Sequence, residues 1–174
     1  MIFVEIEQKY RVRKPASVLA VLKKLRARKI RSGFEKNELF DWKGMLREKK
    51  SILRLRQNGK KKQGLLTFKG PRMKGRYKKR VEIETTVDHA VACRLLKNIG
   101  FQQVAAYSKR REEFVLGPAH VMLDYLKGHG WFLEIEAAPK TIASVEKQLG
   151  LSRQDREERT YLEILSGPGA WIRD

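Results

Sequence analysis

The sequence predicts an α+β fold: an eight-stranded antiparallel closed β-barrel, or tunnel, with a charged interior and helices packed outside. Three observations carry that expectation. About eight strand-like segments run along the 174 residues, joined mostly by hairpin turns or short helices. Most of these segments alternate charged and apolar residues, so each strand has one charged and one apolar face. The helices bring apolar stripes of their own, which can cover the apolar strand faces from outside and turn the charged faces inward.

The first strand is expected over residues 3–11. It contains EIEQK, with Glu5, Glu7 and Lys9 on one face and Val4, Ile6 and Tyr10 on the other. Pro15 then opens an amphipathic helix reaching about residue 29, with Val18, Leu22 and Leu25 on its stripe. A second strand is expected over 34–42, followed by a polar loop over 43–51. ILRLRQN (52–58) and GLLTFKG pair as a hairpin around Asn58-Gly59 and the lysines after it. The stretch 71–79 (PRMKGRYKK) reads as an exposed basic loop, and 80–86 (RVEIETT) as a strand. A helix over 88–99 is expected to turn Val91, Leu95 and Ile99 inward. A long strand over 102–116, a Gly117-Pro118 turn, a return strand over 119–127 and a KGHG turn lead into a strand at 131–138. Two short helices, about 140–149 and 155–166, complete the pattern. With no internal repeat, linker or boundary, residues 1–174 read as a single domain.

Net charge is +19, from 39 basic and 20 acidic residues. No run of 18 or more apolar residues occurs, so no membrane span is expected and no membrane partner is implied. The absence of a signal-like segment and the lone Cys93, which rules out an internal disulfide and a cysteine metal cluster, set a cytoplasmic location as the expectation. The positive excess suits either nucleic acid or a small polyanion. Lys49-Lys50, Lys60–Lys62 and the stretch 72–80 could meet phosphates on a surface. Acid pairs beside the bases would repel a duplex, and no strand interleaves aromatic and basic residues for single strands. Nucleic acid is therefore not the expected primary ligand.

Strand parity sharpens the alternative. Arg54 and Arg56 align opposite Leu53 and Leu55, and Lys69 shares a face with Thr67. Arg80, Glu82 and Glu84 align opposite Val81 and Ile83. Lys109, Arg111 and Glu113 align, as do Asp124 with Met122 and Glu134 with Glu136. Enclosing so many charges is unfavourable unless each finds an opposite partner. A polyphosphate with bound magnesium supplies both signs at once: arginine forks suit phosphate oxygens, and carboxylates supply a hard oxygen shell. The three histidines, His89, His120 and His129, lack ligand-like spacing. Gly128 and Gly130 read as hairpin glycines, and Trp131 and Trp171 receive no role.

In order, EIEQK, LRLR, LTFKGP, RVEIE, SKRR, LDYLKGHGWFLEIE and TYLEIL resemble the motifs of CYTH domains, the triphosphate tunnel metalloenzymes. That family includes class IV adenylyl cyclases, thiamine triphosphatases and inorganic triphosphatases. The resemblance implies a metal-dependent enzyme acting on a small-molecule triphosphate with Mg2+ or Mn2+, and a homodimer by analogy. It implies cation ligands at Glu5, Glu7, Glu134 and Glu136, with Asp124, Glu82 and Glu84 as further ligands or water-positioning groups. Lys9, Arg54, Arg56, Lys69, Arg80, Lys109 and Arg111 correspond to a phosphate clamp, and Glu7, Lys9 and Glu136 to the catalytic set. Hydrolysis to diphosphate and phosphate is the expected reaction; the alternative is conversion of ATP to cyclic AMP and pyrophosphate. One departure stands out. Triphosphatase members often carry a second-strand tyrosine that pairs with the signature lysine, and Phe40 stands near that place here.

Overall fold

The computed structural model describes residues 1–59 and 61–167, so Lys60 and Trp171 lie outside the described residues. The eight strands are β1 (Ile2–Val12), β2 (Arg28–Asp41), β3 (Ile52–Asn58), β4 (Gln63–Lys69), β5 (Lys78–Asp88), β6 (Gln102–Leu116), β7 (Ala119–Leu126) and β8 (Gly130–Glu136). They close into a barrel in the order β1-β5-β4-β3-β2-β6-β7-β8, with antiparallel neighbours throughout. Closure falls on β1, which sets Glu5 opposite Arg80 of β5 and Lys9 opposite Glu134 of β8. The helices are α1 (Pro15–Lys24), α2 (Met45–Glu48), α3 (His89–Asn98), α4 (Pro139–Gln148) and α5 (Tyr161–Ser166).

The apolar faces point outward, and the helices bury much of them, while Ile2 and Val4 of β1 and Val81 and Ile83 of β5 stay exposed. Tyr10, Val121, Leu123, Leu133 and Ile135 form one core with Val18 and Leu22 of α1 and Ile142 and Val145 of α4. Phe40 and Leu55 form a second with Ala92 and Leu96 of α3. Each fully buried aliphatic side chain of this kind contributes about 1.5–3 kcal/mol relative to exposure. A third cluster is different in kind. Tyr161 and Ile164 of α5 meet Leu126 and Phe132, which share strand phase with the inward-facing Asp124 and Glu134. Thus α5 stoppers one end of the barrel. Its start is fixed by a capping box: Thr160 Oγ1 accepts from the Glu163 amide at 3.2 Å, and the Glu163 carboxylate accepts from the Thr160 amide at 2.6 Å.

Several elements differ from expectation for local reasons. The first helix stops at Lys24, because Arg26 turns at a φ of 57° and β2 begins at Arg28 to pair with Val115. The loop at 43–51 holds α2, whose Leu46 and Arg47 amides donate to the Asp41 carboxylate at 2.9 and 3.1 Å. The basic stretch 71–79 yields its last two residues to β5, and Lys78 is buried there. The chain at 155–166 is not one helix: a 3₁₀ turn at Arg153–Asp155 is followed by an extended segment bridging to Tyr10 at Arg156, and only then by α5. In α3 the inward face is wrong by one position. Val91, Leu95 and Ile99 are 64%, 59% and 58% exposed, whereas Ala92 and Leu96 are each 6% exposed. The sheet beneath already carries bulky Phe40, Leu55 and Leu66, so small Ala92 and Cys93 permit the close approach that Val91 would prevent. Among the described residues no helix is long and apolar enough to cross a membrane.

Candidate functional site

Inward-facing residues line a cavity of about 410 Å3 inside the barrel. All the sequence-derived site residues except Asp124 line it, so side chains from six strands meet in one space. The lining separates into two electrostatic regions.

In the first region, carboxylates crowd one another. Glu7 lies directly opposite Glu136 across the β1–β8 pair, a placement in which like charges repel. Burial raises Glu136 to about 7, reinforced by the charges of Glu5 and Glu7. Burial likewise raises Glu5 to about 7 against the pull of Lys69. Glu7 is raised by burial and by Glu134 and Glu5. Lys69 supplies partial relief, with its Nζ 3.0 Å from Glu5 Oε2 and 2.5 Å from Glu82 Oε1.

In the second region, carboxylates and bases are matched. Arg111 donates from Nε to Asp124 Oδ1 at 2.7 Å and from Nη2 to Asp124 Oδ2 at 2.6 Å, and it also holds Glu134. Lys109 Nζ and the Tyr161 hydroxyl donate to Asp124 Oδ2 at 2.8 and 2.6 Å. Burial opposes ionisation of Glu134, yet Lys109, Arg111 and Lys9 hold it well below the usual carboxylate range. Glu35 behaves the same way: burial alone would raise it, but Arg111, Lys109, Arg56 and Arg31 bring it down to about 2. Lys9 Nζ donates to the Arg159 carbonyl at 3.0 Å and sits 3.8 Å over the Tyr161 ring.

Three further basic side chains of the lining are short of partners. Arg54 Nε, Arg56 Nε and Arg80 Nη1 are buried and have no hydrogen-bond acceptor in the protein. A buried polar group left so costs about 1–3 kcal/mol. Arg54 is steadied only at long range, with Nη2 3.4 Å from Thr67 Oγ1 and 3.8 Å from Glu84 Oε1. The three donors line one cavity, which is the pattern of an anion-binding wall.

Sequence reasoning missed Glu35 and Lys78. Glu35 and Asn37 lie in phase on β2, but the strand's charged and polar residues on both faces hide its parity. Lys78 sits within a run of basic residues and is revealed only by its pairing opposite Glu7. Phe40 is a correction. It is fully buried on the outer face beneath α3, so it does not stand beside Lys9; the Tyr161 ring does. Among the described residues no group of three or more carboxylate, histidine or cysteine side chains is arranged as a preformed metal site. The donor chemistry of Glu5, Glu7 and Glu136 nevertheless fits a hard divalent cation: they are oxygen donors whose mutual repulsion a dication would relieve.

Comparison with known proteins agrees with this geometry. A protein of Methanocaldococcus jannaschii named "Putative adenylate cyclase" is 27% identical over 175 residues, spanning 92% of this chain and 98% of its own length. The structure of a Pyrococcus horikoshii protein superposes with a TM-score of 0.79 at 26% identity, covering 92% of this chain and 98% of the other. A Hippeastrum protein described as a "putative adenylyl cyclase" with a dominant triphosphatase activity superposes with a TM-score of 0.71, covering 94% and 96% of the two chains. At 18% identity that likeness shows the fold alone. The CYTH domain model matches residues 4–161, from β1 to the first residue of α5, and on that match the chain belongs to the CYTH domain family.

Proposed function

We propose that the tunnel binds a triphosphate with a divalent cation and hydrolyses it to diphosphate and phosphate. The reading refines what membership of the CYTH family gives, an enzyme acting on triphosphate substrates. One observation carries it: three guanidinium groups, each with a buried nitrogen that lacks an acceptor, share a cavity with carboxylates that repel one another. A triphosphate answers the first need and a dication the second.

Arg54, Arg56 and Arg80 bind phosphate oxygens, with Lys69, Lys109 and Arg111 adding positive charge along the chain of phosphates. Lys9 transfers its hydrogen bond from the Arg159 carbonyl to a phosphoryl oxygen, where it offsets charge in the transition state. Mg2+ or Mn2+ held by Glu5, Glu7 and Glu136, with Glu134, Glu82 and Glu84 beside them, would supply Lewis-acid polarisation of the phosphoryl group. Glu136 orients the attacking water and accepts its proton at a carboxylate oxygen. Asp124 was an expected ligand. With its oxygens engaged by Arg111, Lys109 and Tyr161, its part is to position the bases.

The name of the Methanocaldococcus relative favours a second reading, cyclisation of ATP. A panel of inorganic triphosphate, ATP and thiamine triphosphate, each with Mg2+ and Mn2+, separates the two when phosphate, pyrophosphate and cyclic AMP are assayed independently. Phosphate release without cyclic AMP is the expected result. Cyclic AMP with pyrophosphate would replace hydrolysis by cyclisation, and failure to turn over or bind any of the three would overturn both.

A further inference from the structure

Strand direction separates the two ends of the barrel. At one end β1 and β7 finish, and α5 is seated there against Leu126 and Phe132. At the other end β2 begins and β3 finishes, and a second cavity of about 260 Å3 opens. Arg31, Gly33, Glu35, Asn58, Lys61 and Arg111 are among its lining residues. Arg111 also lines the main cavity, so this residue borders both spaces.

We infer that this second cavity is a subsite for a single hydrogen phosphate ion, separate from the triphosphate tunnel and adjoining it at Arg111. Three kinds of observation carry the inference. First is charge: Arg31, Lys61 and Arg111 line the cavity with one carboxylate, Glu35. Glu113 pairs with Arg31, and Asp124 and Glu134 pair with Arg111, but Lys109 and Arg56 also act on Glu35, so the surroundings keep a positive excess that favours an anion. Arg31 is held in place by Glu35 at 2.8 Å and by Glu113 at 3.1 Å, which presents it as a fixed donor. Second is size. The cavity falls just under the roughly 300–1,000 Å3 typical of small-molecule sites, too small for a nucleotide and sufficient for one phosphate with its water. Third is donor-acceptor balance. Glu35 Oε2 and Asn58 Oδ1 are buried acceptors with no hydrogen-bond partner in the protein. A hydrogen phosphate offers oxygens to the bases and an O–H to one of these acceptors; sulfate has no O–H to give.

Gly33 explains why the space exists. It shares a face of β2 with Arg31 and Glu35 and lies directly opposite Arg111 of β6. A Cβ at this position would meet nothing within 4 Å, and its φ lies outside the left-handed region. The backbone does not require glycine here. What glycine provides is an open chamber.

Binding at this subsite stands on its own geometry; only its use as a station for departing phosphate rests on the hydrolytic reading. The test saturates the tunnel with a non-hydrolysable triphosphate analogue and Mg2+, then titrates inorganic phosphate by calorimetry, with sulfate in parallel. Phosphate should bind the saturated protein at least tenfold more tightly than sulfate. Gly33→Val, a favourable strand residue, and Lys61→Glu, on the β3–β4 turn, should each weaken phosphate binding at least tenfold while analogue affinity changes less than twofold. No phosphate binding to the saturated protein, equal affinity for sulfate, or binding unaffected by both substitutions would overturn the subsite. If the analogue fails to bind, the triphosphate reading fails by itself. The phosphate titration of the free protein and of Gly33→Val then still decides the subsite.

Discussion

Arg111 and Asp124 face each other across the β6–β7 pair and join through two parallel hydrogen bonds, Nε to Oδ1 at 2.7 Å and Nη2 to Oδ2 at 2.6 Å. Asp124 is fully buried, and the same carboxylate accepts from Lys109 and Tyr161. Asp124→Asn would remove the charge that pairs at once with Arg111 and Lys109, leaving Glu134 and Glu35 as their only nearby carboxylates among the described residues. Breaking a buried pair by removing one partner costs about 3–5 kcal/mol. Urea unfolding should show a loss of that order with an unchanged m-value. A loss below about 1 kcal/mol combined with an abolished Mg2+ response would instead return Asp124 to the cation ligands.

The crowded carboxylates predict an opposite effect on stability. Glu7 and Glu136 repel across the β1–β8 pair, so Glu7→Gln or Glu136→Gln should raise the melting temperature of the metal-free protein. The same substitutions should abolish turnover and remove most of the stabilisation that Mg2+ gives to the parent protein. Thermal melts with and without Mg2+ check both parts. Full turnover by either variant in saturating Mg2+ would contradict the assignment.

Glu5 and Glu136 fix the direction of the pH dependence. Both are raised in the folded protein from 4.5 to about 7, so between those values the folded state binds more protons than the unfolded chain. Their contribution to stability is fully present below pH 4.5 and is lost as pH rises through about 7. Glu35, held at about 2, is ionised in the folded protein across this window, and its opposite slope fades as the unfolded chain's carboxylate ionises above 4.5. A dication needs the ionised carboxylates. The Mg2+-induced rise in melting temperature should therefore be larger at pH 8 than at pH 6, and a rise that is flat or larger at pH 6 would remove Glu5 and Glu136 from the ligand set.

Arg56 tests the phosphate wall. Its Nε has no acceptor in the protein, and its nearest anionic neighbour, Glu35, is 3.9 Å away. A hydrogen bond between charged groups contributes about 1.5–3 kcal/mol, so Arg56→Ala should raise KM for the triphosphate about tenfold or more. Steady-state kinetics on the folded variant measure this, and an unchanged KM would place the phosphates elsewhere in the tunnel.

The barrel was legible because its strands obey two periodicities at once, charge on one face and apolar residues on the other. EIEQK, LRLR and FLEIE each state their own inside and outside, and the cavity contains the residues they named. Legibility failed where that contrast was absent. β2 reads EKNEL, with charge on both faces, so neither Glu35 nor the inward phase of Asn37 could be read from it. Lys78 was concealed in a basic run whose burial depends on β1, about seventy residues earlier. The extended segment before α5 takes its shape from Lys9, whose carbonyl accepts from the Glu157 amide at 2.9 Å, and no local pattern encodes that contact. For α3 the larger side chains were assigned to the core, yet steric fit against the sheet chose the smaller ones.

That choice in α3 gives a paired measurement. Leu95 and Leu96 are neighbours in sequence, 59% and 6% exposed respectively, and only Leu96 packs with Phe40 and Leu55. Leu96→Ala should cost about 2–5 kcal/mol, the transfer of the lost methyl groups plus the cavity left behind. Leu95→Ala removes little buried surface and replaces leucine with the best helix former, so its effect should stay within about 0.5 kcal/mol. Each variant should retain triphosphate turnover when folded, because neither side chain lines the tunnel. Equal destabilisation by the two substitutions, read from urea unfolding at one temperature, would mean that α3 is rotated about its axis and that the outer core beneath it is built differently.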